Sequence, residues 1–469
     1  MRKFILCFFC LVYLTSNAQL TFEKIITKGA TEHGWSVIQT TDGGYAVLSS
    51  SIFNYPRIDW WLIKTDYKGD TLWTKTFRGF GDNFKADRAL VQTPDGGYTF
   101  MIDRNGKIGL LHLSADGDSL WEKELCTGSG SSISPVSGHR YIICGGYASN
   151  FNTRVALTDS TGELIWERQY QLTPPNSGGS SRGWAVREAP DGGFIIAGSV
   201  TTIFLINHPF MLRIGPSGDS LWFQRYWYHL YMEDATAYSV DTVGSNAFYA
   251  GVYMSNIGQH AMVMKFDAQG DTIWTRVIYK TGQQSFLSVR TTDDGGVIAC
   301  GLDRKSFSND STQLFLVKFS SSGNILWEKR IGNYENAYGA SIDRTSDNGL
   351  IICGAAQQTA TSSPNCLLIK TDNEGNITNI EDRNSIARLS VNPNPASNQI
   401  IFSIKKQDVI SGRQIILYDI FGREVEVIDL LPGMTTYSMG VFNIPEGMYI
   451  AMFGSSEKII WSEKIIIKR

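Results

Sequence analysis

The side chains able to do chemistry in this chain are scattered. Six histidines, His33, His112, His139, His208, His229 and His260, show no metal-ligand spacing, and Cys7 to Cys10 is the one Cys-x-x-Cys. No Gly-x-Ser-x-Gly elbow or phosphate-binding loop is read. Carboxylates abound, but most fall at turn positions of a repeat, and a paired acid site could still be assembled from separate repeats. The most concentrated interaction chemistry is the segment Tyr226, Trp227, Tyr228, His229, Leu230, Tyr231. Aromatics around a histidine suit stacking on a sugar or packing on a protein partner. Arg57 and Arg304, at comparable connections, could add charge to such a site. A plug covering the groove between neighbouring repeats accounts for the aromatic segment equally well. No catalytic residue, metal or cofactor is expected.

The 469 residues carry 46 Gly, 24 Phe, 20 Tyr and 12 Trp. That balance points to many short strands joined by tight turns. Net charge is −3, without a polybasic run, which argues against nucleic acid as a partner. Arg2 and Lys3 precede an apolar run, Phe4 to Leu14, which ends in Ser16-Asn17-Ala18. Such a run is too short to span a bilayer and reads as a signal peptide over residues 1–18. No later segment is apolar and long enough to be a transmembrane segment. A lipoprotein signal competes through Cys7 and Cys10, but Phe9 is too bulky for that processing site.

Behind the scattered chemistry stands a repeat. A tight turn opens an apolar strand at Asp42-Gly-Gly-Tyr45, Asp95-Gly-Gly-Tyr98, Gly138-His-Arg-Tyr141, Asp191-Gly-Gly-Phe194, Gly244-Ser-Asn-Ala247, Asp294-Gly-Gly-Val297 and Asp347-Asn-Gly-Leu350. A second turn leads into Trp73, Trp121, Trp166, Trp222, Trp274 and Trp327, spaced 48, 45, 56, 52 and 53 residues apart. A period near fifty with alternating strands is a propeller blade period. In the second repeat the four strands are read as Ala86–Thr93, Gly97–Ile102, Ile108–Leu113 and Ser119–Leu125. The seventh repeat ends without a tryptophan strand, and Leu20–Ile26 resembles Leu72–Phe77. An N-terminal strand paired antiparallel with Leu367–Lys370 would therefore close a seven-bladed β-propeller over residues 19–378. Cys144, Cys300 and Cys353 share a repeat position with Ala197 and Ala250, which marks a small buried packing site.

Asp-Gly-Gly-Tyr, Leu-Ile-Lys-Thr-Asp and Gly-Asp-Thr-Leu-Trp resemble the tryptophan-docking repeats of quinoprotein-like bacterial propellers. Quinone-dependent dehydrogenases of that type carry adjacent cysteines and channel calcium ligands. This chain has no adjacent cysteines, so the resemblance implies scaffold and not activity.

A polar linker, 379–388, leads to a second module, 389–469. Asn392-Pro-Asn-Pro-Ala-Ser-Asn398, Ile416-Leu-Tyr-Asp-Ile-Phe-Gly-Arg-Glu-Val425, Ile444-Pro-Glu-Gly-Met-Tyr-Ile450 and Glu463-Lys-Ile-Ile-Ile-Lys468 follow in order. Together they resemble the type A C-terminal sorting domain of the type IX secretion system. The resemblance implies a small Ig-like β-sandwich, an accessory Ig-like domain being the alternative. It also implies handling by the type IX secretion machinery, and a secreted or outer cell-surface location reached via the periplasm.

The fold expected is all-β throughout. The A–B and C–D turns share one face of the ring, and the more varied B–C and D–A connections share the other. Function is expected on the varied face, which holds the aromatic segment, Arg57 and Arg304. The leading expectation is a binding or adhesion module with a glycan or protein ligand. A secreted hydrolase or lyase acting on polysaccharide or peptide is the alternative.

Overall fold

The structure, a computed structural model, describes residues 19–468 apart from 55–56, 79–88, 147–151, 175–177, 203–205, 227–233, 245–246, 256–259, 305–310, 360, 378–389, 404–413, 431–435 and 456–457. The described elements are all β-strands. The chain divides into two compact units, up to Thr378 and from Asn379.

In the first unit, β1 is Phe22–Ile26, and four-stranded antiparallel groups follow. Strands β2–β5 are Thr31–Gln39, Tyr45–Asn54, Arg57–Thr65 and Thr71–Phe77. Strands β6–β9 are Leu90–Gln92, Tyr98–Arg104, Lys107–Leu113 and Ser119–Thr127, bounds that differ by a few residues from the sequence reading; residues 86–88 lie outside the described set. Next come β10–β13, Ser129–Val136, Arg140–Gly146, Thr153–Thr158 and Leu164–Tyr170, then β14–β17, Ser180–Glu188, Phe194–Thr201, Asn207–Ile214 and Ser220–Arg225. Strands β18–β21 are Asp234–Val243, Ala247–Ser255, His260–Asp267 and Thr272–Ile278. An eight-stranded sheet holds the rest: β22–β25, Gln283–Thr291, Val297–Arg304, Thr312–Phe319 and Ile325–Ile331, and β26–β28, Asn336–Arg344, Leu350–Gln357 and Asn365–Thr371, with β1. Its two halves meet at one parallel pair, Thr312 with Asn336.

The N-terminal strand pairs where the sequence led us to expect it. β1 runs antiparallel to β28, from Phe22 opposite Lys370 to Ile26 opposite Cys366. Between β26–β28 with β1 and the first sheet lies a continuous core of Phe22, Val37, Val47, Trp61, Ile351, Cys353, Cys366 and Leu368. First strands of successive sheets touch in cyclic order: β2, β6, β10, β14, β18, β22, β26 and again β2.

Physical chemistry explains the repeated turns. In Asp42-Gly-Gly, Gly43 takes φ +83°, a left-handed conformation that favours glycine. Gly44 is there for space, since a Cβ would lie 2.2 Å from the Thr65 carbonyl oxygen. The Asp42 carboxylate accepts from Thr40 Oγ1 (2.5 Å) and Gly44 N (3.0 Å), and Lys64 Nζ on the third strand lies 2.8 Å away. Asp294 repeats this with Thr292, Gly296 and Lys318, and Asp347 with Thr345, Gly349 and Lys370. Burial alone would raise the Asp42 and Asp294 carboxyls. The lysine, threonine and backbone donors outweigh it and hold both at about 2.

The tryptophan of each fourth strand rests on the next sheet's turn glycine. Trp73 meets Gly117, Trp121 meets Gly162, Trp222 meets Gly270, Trp274 meets Gly323 and Trp327 meets Gly375, so closely that a Cβ would lie within 2.9 Å of the indole. Trp166 Nε1 donates to Pro216 O (3.1 Å) and Trp274 Nε1 to Ser321 O (3.0 Å). At Gly69 the ring is that of Phe22, from β1. Cys144, Cys300 and Cys353 are buried, as are Ala197 and Ala250 at the same position.

The second unit has two sheets, with β29 (Ser390–Asn392), β30 (Gln399–Ser403) and β33 (Thr436–Gly440) in one. The other is ordered β32 (Glu424–Asp429), β31 (Gln414–Asp419), β34 (Gly447–Ser455) and β35 (Lys458–Ile467). Both contribute to one core, with Ile400 and Phe402 from the first and Leu417, Phe453 and Ile465 from the second. The Asn-Pro-Asn-Pro-Ala opening clamps the last strand. Asn394 Nδ2 donates to Lys464 O (2.6 Å), its Oδ1 accepts from Ile466 N (2.8 Å), and Ala396 N donates to Ile466 O (2.8 Å).

Candidate binding site

Six strands, each the first of its repeat, carry a β-bulge at one repeat position, marked by register shifts between Gly34 and Ser36, Gly130 and Ser132, Gly183 and Ala185, Ala237 and Ser239, Phe286 and Ser288, and Gly339 and Ser341. A bulge leaves its extra residue unpaired and re-aims the side chain. The bulged residues are Trp35, Ser131, Trp184, Tyr238, Leu287 and Ala340. The indoles of Trp35 and Trp184 are partly exposed. Each is anchored by the same device: Trp35 Nε1 donates to Ser50 Oγ (2.9 Å), and Trp184 Nε1 to Ser199 Oγ (3.2 Å).

Around Trp35 gather His33 and Tyr338. The His33 ring stacks on both, at 5.8 Å and 6.1 Å between centroids, and its Nδ1 lies 2.7 Å from the Tyr338 hydroxyl. Burial lowers the His33 pKa below the usual imidazole range, so the ring is neutral at pH 7. Around Trp184 stand Tyr238, with centroids 5.2 Å apart, and Arg182, whose guanidinium carbon is 4.4 Å from the indole centroid. Arg182 Nε donates to Ser131 Oγ (2.9 Å), and Nη2 donates to Ser129 Oγ (3.0 Å) and Gly130 O (3.1 Å). Ser129 Oγ donates in turn to Asp103 (2.7 Å). Nη1 of Arg182 has no partner among the described residues.

Trp35 and Trp184 stand at the midpoint of their strands, and His33 and Arg182 occupy the opening half. Thr31 lies opposite Ile52 and Ser180 opposite Thr201, so this half borders the connections between second and third strands. The residues singled out in the sequence are distributed over three sheets. Arg57 opens β4, and Arg304 closes β23 opposite Gln283 and Thr312. Tyr226 follows β17, donates its hydroxyl to Gly270 O (2.7 Å) and packs on Phe266 (4.7 Å), which makes it a docking residue between sheets. Trp227, Tyr228, His229 and Tyr231 lie outside the described residues. Sequence reasoning missed Trp35 and Trp184. Their available signal was a second tryptophan shared by His33-Gly-Trp-Ser36 and Arg182-Gly-Trp-Ala185.

One Gly-x-Ser-x-Gly spacing occurs, Gly179 to Gly183, but it builds no nucleophile elbow. Ser181 is buried inside β14, and its Oγ accepts from Thr153 N and Oγ1, each at 3.0 Å. Among the described residues no group of three or more His, Cys, Asp or Glu side chains could hold a metal ion. No helix among them is long and apolar enough to cross a membrane.

Residues 390–468 match the secretion system C-terminal sorting domain family. The type IX sorting domain anticipated from the sequence is thereby shown, and with it secretion or an outer cell-surface location. No curated protein sequence matches the chain. Among solved structures, a quinohemoprotein alcohol dehydrogenase of Pseudomonas putida is similar at 10% identity and TM-score 0.45, with 79% of each chain covered. A protein of unknown function from Dyadobacter fermentans has 11% identity and TM-score 0.44, covering 74% of this chain and 97% of its own. Drosophila Plexin A, solved in complex with Semaphorin 1b, has 9% identity and TM-score 0.44, covering 76% and 87%.

Proposed function

We propose that this protein, exported by the type IX system through its sorting domain at 390–468, is a seven-bladed β-propeller that binds a ligand at its inner strands. Closure by β1 is supported by the cyclic contacts of the first strands and by Phe22 on Gly69. An Ig-like sandwich for the second unit is supported by two sheets sharing one core. Residues 1–18 act as the signal peptide, and the domains follow the boundaries 19–378, 379–388 and 389–469.

The observation that carries the binding role is the pair of anchored, partly exposed tryptophans at equivalent bulges, each with a neighbouring unit's tyrosine beside it. Aromatic surface held in place with polar donors beside it is recognition chemistry. In our reading the B–C and D–A connections, with Trp227, Tyr228, His229, Tyr231, Arg57 and Arg304, form the rim of this site, while Tyr226 belongs to the packing between sheets.

The test is the purified protein on immobilised glycan and surface-protein arrays, beside Trp35→Ala and Trp184→Ala. The expected result is retention of at least one ligand class, weakened by both substitutions. Retention of nothing, or turnover of the retained ligand, would overturn the binding role.

A further inference from the structure

We infer that the site takes a linear anionic saccharide, held by an anionic pyranose at Arg182, Trp184 and Tyr238 and by a second sugar ring at Trp35. This deepens the binding role proposed above and rests on it. Arg182 is bound on two of its three nitrogens by Ser131, Ser129 and Gly130 O, which fixes the guanidinium beside Trp184. The third nitrogen, Nη1, keeps its donors for a ligand. A fixed arginine with donors to spare selects carboxylate or sulfate oxygens, because charge-assisted hydrogen bonds are the strong ones. The aromatic surface beside it suits the C–H face of a pyranose. At the first station the donor beside the tryptophan is a neutral histidine, His33, so charge selection belongs to the second station alone.

Position around the axis supplies the linear part of the assignment. Trp35 belongs to the first four-stranded group and Trp184 to the fourth. In a ring of seven they stand three steps apart, nearly opposite each other. A chain spanning the ring between them would touch both, and a single sugar only one, so affinity should grow with length.

The experiment is calorimetric titration of the full mature chain with a galacturonate hexamer, a sulfated galactan hexamer and cellohexaose. We expect at least one anionic hexamer to bind about tenfold or more tightly than cellohexaose, since charged hydrogen bonds are roughly twice as strong as neutral ones. Its carboxylate or sulfate identifies the anion. Trp35→Ala and Trp184→Ala should each weaken hexamer binding about tenfold, while the corresponding dimer is weakened by Trp184→Ala alone. Arg182→Gln should abolish the anionic preference. Because Arg182 also ties β10 to β14, wild-type titration at high salt is the independent reading: the preference should shrink as salt rises. Cellohexaose binding as tightly as both anionic hexamers, yet still lost in Trp184→Ala, would overturn the anionic assignment and leave the binding role standing. Equal affinity for dimer and hexamer would overturn the two-station geometry. Hexamer binding untouched by either tryptophan substitution would take down both the inference and the site beneath it.

Discussion

Phe22 does at one docking point what tryptophan does at six, and the comparison shows what the docking position requires. Each ring packs against a glycine whose φ is positive, as at Gly69 (+79°) and Gly323 (+83°), and a Cβ on these two would lie only 2.5 and 2.8 Å from ring carbons. The aromatic partner need only be large and flat, so phenylalanine suffices at the end of a short strand. Trp274 is the most enclosed of these tryptophans, buried against Phe319 and Tyr249. Trp274→Ala should therefore cost about 3–5 kcal/mol, the usual cost of emptying a large buried aromatic site. Partly exposed Trp121 should cost less. Equilibrium denaturation of both variants checks this, and a Trp274→Ala loss below about 1 kcal/mol would contradict the packing described. These positions were legible because the tryptophans recur with a turn at a fixed offset. Trp35 and Trp184 were not, because the bulge that re-aims them recurs with a different residue in most repeats, and only two of those six strands place tryptophan there.

The strand pair joined by Asp-Gly-Gly is held by an ion pair that the sequence displays without explaining. Asp42, Asp294 and Asp347 looked like turn residues, which they are, but each also meets a lysine from the third strand: Lys64, Lys318 and Lys370. The lysine of Leu-Ile-Lys-Thr-Asp was readable as a repeat letter, while its partner some twenty residues away needed the register of the hairpin. The pairing predicts acid sensitivity of a definite sign. Folded Asp42 and Asp294 sit at about 2, against about 3.9 for an unperturbed aspartate. A depressed folded pKa gives stability that is fully present above the unfolded value and is lost as pH falls through the folded one. The melting temperature should thus drop between about pH 4 and pH 2, the interval between those two values. Asp294→Asn should lower it at neutral pH and flatten the acid slope. Both aspartates are about half exposed, so added salt should shrink the difference. Calorimetric melts of wild type and Asp294→Asn across that range decide it, and parallel acid slopes would show that the turn carboxylate is not the titrating group.

For the whole molecule, the two compact units divide the work of folding and of export. The tail's opening motif does work that only its residue types can do, since the Asn394 side chain both donates to and accepts from the backbone of the last strand. The proposed ligand face was much less legible, since the connections between second and third strands follow no repeat in length or composition. Deleting residues 386–469 should leave the first unit folded but retained in the periplasm, measured by cell fractionation. Normal export of the shortened chain would contradict the role of the tail. Ring closure makes the sharper prediction. Without β1, strand β28 would present an open edge where Phe22 to Ile26 now pair with Lys370 to Cys366. Gly69 would lose its aromatic cover, the ion pair of Lys24 with Asp70 (3.1 Å) would vanish, and the core shared by the first and last sheets would be opened to water. A chain beginning at residue 28 should therefore melt far below wild type and aggregate through the freed edge. An ordinary terminal trim would leave both properties unchanged. Adding residues 19–27 back as a free peptide should restore part of the lost stability, because the edge it fills is otherwise intact. A shortened chain that melts like wild type and stays monomeric would mean that the ring holds without its N-terminal strand, and the closure argument would fall with it.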